Sequence, residues 1–226
     1  MTSDIERRYE VNVVEARSRD NRRTIGGYAA KFGRPSQNLG GFIEMIDPRA
    51  FNKSRGDGWP DVMARYNHDD GFVLGTTAGG TLRLSVDKIG LDYEVDVPAA
   101  RADVYELIER GDVSKSSFAF RTIEDDWGPS DQDFPMRTLL QVGLVDVAPV
   151  NLPAYTDTSS GVRNREVAFR SLAAKMDAPF DDIVRLASEN ELRKLFRRTD
   201  GGPPAHTFGP TALIELQAKQ DPAVSI

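Results

Sequence analysis

Two runs in the middle of the chain leave the least freedom for its fold. TLRLSVD (Thr81 to Asp87) and LDYEVDV (Leu91 to Val97) each alternate apolar and polar residues, the period of a strand with one buried face. Lys88, Ile89 and Gly90 form the turn between them, so the two runs make a meander of antiparallel strands. Gly79-Gly80 turns into the first run from Leu74 to Thr77, and Pro98 ends the second. A chain organised around such a meander builds an antiparallel sheet that its neighbours must extend or cover.

The upstream segments extend it. YEVNV (Tyr9 to Val13) alternates, Arg19-Asp20-Asn21 reads as a turn, and TIGGYAAKF (Thr24 to Phe32) returns as the partner strand. Its paired glycines mark a bulge or a close backbone approach. Phe42 to Ile46 is a further short strand. It leads into Asp47-Pro48, an N-cap before a first-turn proline, which predicts a short helix over Arg49 to Lys53. Downstream, Ala99 to Arg110 switches to helical spacing, with Val104, Leu107 and Ile108 on one face and Gly111 at the C-cap. Phe118 to Ile123 is a strand, Trp127 to Pro135 a polar loop, and Arg137 to Val150 one or two strands. Thr156 to Gly161 has the composition of a linker. Beyond it lie one helix, Asp181 to Arg197, and a weaker helical segment around Thr211 to Lys219. The chain thus divides into one β-rich domain, residues 1–157, and a linker with a helical tail, residues 158–226.

Composition narrows the chemistry. A chain of 226 residues is long enough to bury a core, and a net charge of -6 argues against a general nucleic-acid binder. No apolar run approaches the roughly 18 residues of a membrane span. The first residues, Met1 to Glu6, have neither the basic nor the apolar region of a signal peptide. The chain contains no cysteine, which removes thiol nucleophiles and thiolate metal sites. It contains two histidines. His68 sits in YNHDD, whereas His206 lies in a Gly/Pro-rich stretch unsuited to a preorganised site.

A serine hydroxyl becomes a useful nucleophile when a neighbouring base takes its proton, and neutral imidazole suits that task. The base available is His68, and the nucleophiles are the serines of GDVSKSSFAF, with Ser117 first among them at the lip of a predicted strand. Neighbouring amides at that junction could serve as an oxyanion hole. Asp146, an acid inside the apolar run LVDVAPV, is the carboxylate that could orient the imidazole. Asp69 and Asp70 are alternatives, less able to reach around to the ring. Each residue also has a structural reading: a packed histidine, turn-capping serines, an aspartate facing solvent. No second histidine cluster completes a metal site, and no phosphate-binding loop or dinucleotide fingerprint is present.

Taken in order, these segments resemble the prohead (capsid maturation) protease family of tailed bacteriophages over roughly Arg8 to Thr156. The landmarks are GGYAAKF, then FIE with PRAF, NHD with Leu74-Gly75, GDVS leading to SFAF at Ser117, and VDV with PAY around Asp146 and Tyr155. The resemblance implies an α+β domain like that of the herpesvirus assembly protease: a closed, mostly antiparallel β-barrel surrounded by helices, followed here by a helical tail. It implies a serine endopeptidase with His68 as base, Ser117 as nucleophile and Asp146 as the acid. Ala119 replaces the glycine of the family's Ser-Phe-Gly-Phe pattern, and Asp146 stands where a glutamate is common. Ser116 and Ser114 are the fallback nucleophiles. No cofactor and no metal is implied. The implied partners are the major capsid protein with its scaffolding segment and, by analogy with the herpesvirus enzymes, a second copy of the chain as a homodimer, but neither nucleic acid nor a membrane. The implied location is the host cytoplasm, inside the procapsid during assembly, with a tail after Thr156 that aids packaging and is trimmed by self-cleavage. Two rivals remain: a non-catalytic capsid-assembly or scaffold protein that keeps the barrel for binding, and a different hydrolase using the same dyad.

Overall fold

The computed structural model describes residues 5–10, 14–19, 22–132, 134–151 and 159–196. Its first half runs β1 (Glu6–Glu10), β2 (Glu15–Arg19), β3 (Arg22–Lys31), β4 (Ile43–Ile46), α1 (Asn52–Gly56), β5 (Met63–Arg65) and β6 (Val73–Thr76). Then come β7 (Leu82–Val86), β8 (Gly90–Asp96), α2 (Ala102–Glu109), β9 (Lys115–Gly128) and β10 (Met136–Val150). Two helices follow, α3 (Ser159–Met176) and α4 (Phe180–Ser188).

The central meander forms as its alternation dictates. β7 and β8 pair antiparallel with Leu82 opposite Val95 and Val86 opposite Leu91. β3 adds to the far side of β8, with a register shift between Tyr28 and Ala30, and β2 adds to β3 with Arg19 opposite Arg22. The result is a four-stranded sheet in the order β2-β3-β8-β7. The helix expected after Pro98 begins as a 3-10 turn, Ala99–Arg101, and continues as α2. Gly111 ends it with φ +82°, a conformation that a side chain would strain.

A second sheet carries the order β1-β9-β10-β5-β6, with β4 also paired to β10. β9 and β10 form a long antiparallel hairpin, from Met136 opposite Gly128 to Val150 opposite Lys115. The outer edge of β10 is shared by two short strands, β4 along Met136–Leu139 and β5 at Asp146 and Val147, and both pairings are parallel. This corrects one expectation and settles another. The loop expected from Trp127 begins later, since β9 runs as far as Gly128, and of the one or two strands expected over Arg137 to Val150 the chain forms one. The fold is a mixed α+β one, but among the described residues the strands make two sheets and no closed barrel. At β6 the sheets meet through packing instead of a hydrogen-bonded ladder. A Cβ at Gly75 would stand 2.5 Å from Val95 Cγ2 and 2.9 Å from Thr81 Oγ1, so only glycine permits this approach.

The main core lies between the sheets. Phe118 and Phe120 of β9 stack at 5.0 Å, and Phe51 meets Phe118 edge-on at 5.8 Å. Asp47 does start a turn, its carboxylate accepting from the Arg49 amide at 2.8 Å, but the helix proper begins only at Asn52. A second core forms on the outer side, where Ala168, Phe169, Leu172 and Ala173 of α3 and Ile183 of α4 close over Phe42 and Trp127. Phe42 lies 5.2 Å from the Trp127 ring and 6.0 Å from Phe169. α3 therefore starts inside the segment read as a linker. The helix read over Asp181 to Arg197 is α4 plus a 3-10 turn, Leu192–Phe196, separated near Asn190 at φ +56°. Tyr155, His206 and the weak helical segment of Thr211 to Lys219 lie outside the described residues.

Candidate active site

His68 stands on a short loop that follows β5. Tyr66–His68 forms a 3-10 turn in which Asn67 and His68 take φ of +54° and +57°. Two consecutive left-handed residues without glycine cost on the order of 1–3 kcal/mol each, which surrounding contacts must offset. Those contacts are present. The Tyr66 amide donates to the Phe72 carbonyl at 3.0 Å and the Asp69 amide to the Tyr66 carbonyl at 3.1 Å. The Asn67 side chain accepts from the Asn151 amide at 3.1 Å, and Arg101 lies 4.5 Å over the Phe72 ring. The loop is thus a closed clip that fixes one imidazole.

Ser117 is in the interior of β9, not at its lip. It stands opposite Ala148 of β10 and Tyr9 of β1. Strand alternation sends its neighbours the other way: Ser116 approaches Tyr93 hydroxyl to hydroxyl at 3.2 Å, and Phe118 enters the main core. Asp146 comes from β10 at a register shift following Leu144, opposite Ala119 on one side and Met63 on the other.

These three side chains meet. His68 Nε2 is 2.6 Å from Ser117 Oγ, and His68 Nδ1 is 2.5 Å from Asp146 Oδ1. All three are buried, with relative exposures of 0% for Ser117, 7% for His68 and 1% for Asp146. A neutral imidazole with its proton on Nδ1 donates to Asp146 and leaves Nε2 free to accept from Ser117. The serine has a second acceptor within reach, the Arg8 carbonyl of β1 at 2.8 Å. One hydroxyl proton cannot serve both, so β1 competes with His68 for it. The alternatives separate from this cluster. Asp69 accepts from the Gly71 amide, Asp70 is exposed beside Arg65, and Ser114 is exposed.

Arg65 was not singled out by the sequence. Its Nη1 donates to Asp146 Oδ2 at 3.0 Å, across a separation of 81 residues that no local pattern reports. Nor was the charged cluster beneath β1. Arg137, fully buried, bonds Glu6 at 2.6 Å, Glu44 at 3.0 Å and Asp125 at 2.6 Å. Arg8 bonds Glu44 at 2.6 Å and Glu6 at 2.7 Å. Burial pushes the Glu6 carboxyl up, but the Arg8 and Arg137 guanidiniums outweigh it and hold it at about 2. The backbone of Arg7 is bracketed by Asn164 of α3, each group donating to the other at 3.1 Å. β1 is therefore pinned where its carbonyl touches Ser117.

Among the described residues, no group of three or more His, Cys, Asp or Glu side chains is placed to hold a metal ion, and no helix is long and apolar enough to cross a membrane. A groove of about 840 Å³ between β6, β3 and the end of β8 is lined by Val73, Leu74, Val97, Pro98 and Tyr105, and none of the three clustered residues borders it.

Residues 8–172 match the family model of the Caudovirus prohead serine protease. The chain belongs to that family. As a prohead serine protease it is a member of a serine peptidase family tied to phage capsid maturation. The match extends past residue 157 into α3, so the helix that covers Trp127 lies within the family's span as far as Leu172. No curated protein and no solved structure matched the chain.

Proposed function

We propose that this protein is the serine endopeptidase that cleaves the scaffolding segment of the major capsid protein, and itself, during phage head maturation. The observation that carries this reading is the imidazole of His68 held between Ser117 and Asp146 at 2.6 and 2.5 Å. In the proposed mechanism the Ser117 oxygen attacks a peptide carbonyl carbon while His68 Nε2 takes its proton. Asp146 holds the Nδ1 proton and stabilises the imidazolium. His68 then protonates the leaving amine as the C–N bond breaks, which leaves an acyl ester on Ser117. A water, its proton taken by His68, hydrolyses that ester. The enzyme acts inside the procapsid in the host cytoplasm, on capsid protein brought close by assembly. Kinship with the herpesvirus assembly protease, and a homodimer by that analogy, belong to the same proposal.

One observation favours a second reading, a non-catalytic assembly protein. Ser117 has no exposed surface, and a substrate carbonyl cannot reach it without movement of the chain around it. Co-expression with the major capsid protein separates the two. On the protease reading the capsid protein is processed by the wild type and left intact by Ser117→Ala. Processing that persists in Ser117→Ala overturns the role of Ser117, and no processing by either favours the assembly reading.

A further inference from the structure

We propose that Arg65 is a positioning residue for the reaction: it fixes the Asp146 carboxylate so that one oxygen is left for His68. This rests on the reading of Ser117, His68 and Asp146 as the catalytic chain. Asp146 leaves β10 at a register shift, and a short acid at such a site needs both oxygens held to keep one direction. Oδ1 meets His68 Nδ1 at 2.5 Å, and Oδ2 meets Arg65 Nη1 at 3.0 Å.

Arg65 is itself well placed to hold that position. It ends β5, whose neighbour Met63 pairs with Asp146, so the ladder that places the acid also places the cation. Its Nη1 also meets Asp70 at 3.1 Å and its Nη2 the Met63 sulfur at 3.1 Å, while its side chain is 15% exposed. The same eight-residue stretch, 63 to 70, thus supplies the ladder partner, the guanidinium and the imidazole. Among the described residues, the charged and titratable groups that contact Asp146 are His68 and Arg65, with Asp70 behind Arg65. From β9 the residue opposite is Ala119 and its neighbour there is Phe118, both uncharged.

Arg65 touches neither Ser117 nor the reacting carbonyl; it acts through Asp146.

The test uses the full chain and a fluorophosphonate probe, whose labelling rate reports the nucleophilicity of Ser117. The expected result for Arg65→Met is a rate lower by roughly 10- to 100-fold, taken by analogy from the outer-shell partners that orient metal-bound histidines. Arg65→Lys keeps the charge and recovers part of the rate. In Asp146→Asn, adding Arg65→Met has little further effect, since the two act as one unit. A wild-type rate in Arg65→Met overturns the proposal. Ser117→Ala is run in parallel: equal labelling there sinks the catalytic chain itself, whereas no labelling there with a wild-type Arg65→Met sinks only the role of Arg65. If the covered serine resists the probe, or Arg65→Met does not fold, the downfield imidazole N–H resonance decides. It is traceable because His206 is the only other histidine in the chain. Loss or a shift of the resonance in a folded Arg65→Met supports the proposal; where that variant does not fold, a shift in folded Arg65→Lys does, and an unchanged resonance in the folded variants overturns it.

Discussion

Asp146 is where a one-atom change tests the most. Replacing its carboxylate by an amide keeps the shape but removes the charge that pairs with Arg65 and stabilises a protonated His68. Asp146→Asn is expected to keep its fold by circular dichroism and to lose on the order of 10³- to 10⁴-fold in kcat, because the imidazole adopts the wrong tautomer. Asp146→Glu tests a different point. The Asp146 oxygens already lie 2.5 and 3.0 Å from their partners, so an added methylene has nowhere to go. It is expected to cost about 1–3 kcal/mol in urea unfolding, and activity near wild type in that variant would refute the tight fit. At this scale much of the site was readable from the sequence. Two histidines and no cysteine point to His68, and an acid in an apolar run points to Asp146. Arg65 was not readable, because arginines are common and its value lies in a contact 81 residues away.

At the scale of elements, β1 shows how a buried charge cluster misleads a hydrophobic pattern. The apolar alternation of YEVNV predicted a strand at Tyr9 to Val13; Tyr9 and Glu10 do lie in a strand, but it begins at Glu6, with Glu6 and Arg8 facing inward. Val11 to Val13 lie outside the described residues. Trp127 to Pro135 misled in the same way: Asp125 bonds the buried Arg137, and Trp127 is itself buried, so β9 runs on through a polar stretch. The meander was legible because its alternation is apolar and its partners are local. The β10 pairings with β4 and β5 were not, since parallel partners are chosen by tertiary packing. The cluster also makes stability depend on pH. Glu6 sits at about 2, below the usual unfolded value of about 4.3. A depressed carboxyl contributes stability that is fully present above the unfolded value and is lost as pH falls from about 4 toward 2. Urea midpoints are expected to stay flat above about pH 5 and to drop below it, and Glu6→Gln is expected to flatten that drop. Arg137→Met leaves Glu6, Glu44 and Asp125 without their shared cation and is expected to cost about 3–5 kcal/mol. A variant as stable as the wild type would show that the cluster is neutral in net effect.

At the scale of the molecule, the question is how much of the chain forms the working unit. Composition suggested a boundary near residue 157, with the remainder a tail open to trimming. The packing argues for a longer unit. Leu172 and Ile183 have no exposed surface, and with Phe169 they cover Phe42, which immediately precedes β4, and Trp127 of β9, two strands that contribute to the charge cluster. α3 reaches further still, since Asn164 brackets the backbone of Arg7 next to the Arg8 carbonyl that touches Ser117. Removing residues 159–196 would therefore strip the cover from an aromatic cluster and unpin the strand beside the nucleophile. Leu172→Ala alone is expected to cost about 2–5 kcal/mol. A chain ending at 158 is expected to show red-shifted Trp127 emission and to aggregate, while a chain ending at 196 is expected to keep the wild-type melting temperature and the same capsid processing. If self-cleavage trims this protein, the packing requires the cut to fall beyond residue 196. Mass spectrometry of the self-processed enzyme reads the new C-terminus directly, and an active product ending between 152 and 158 would show that the helices are dispensable after all.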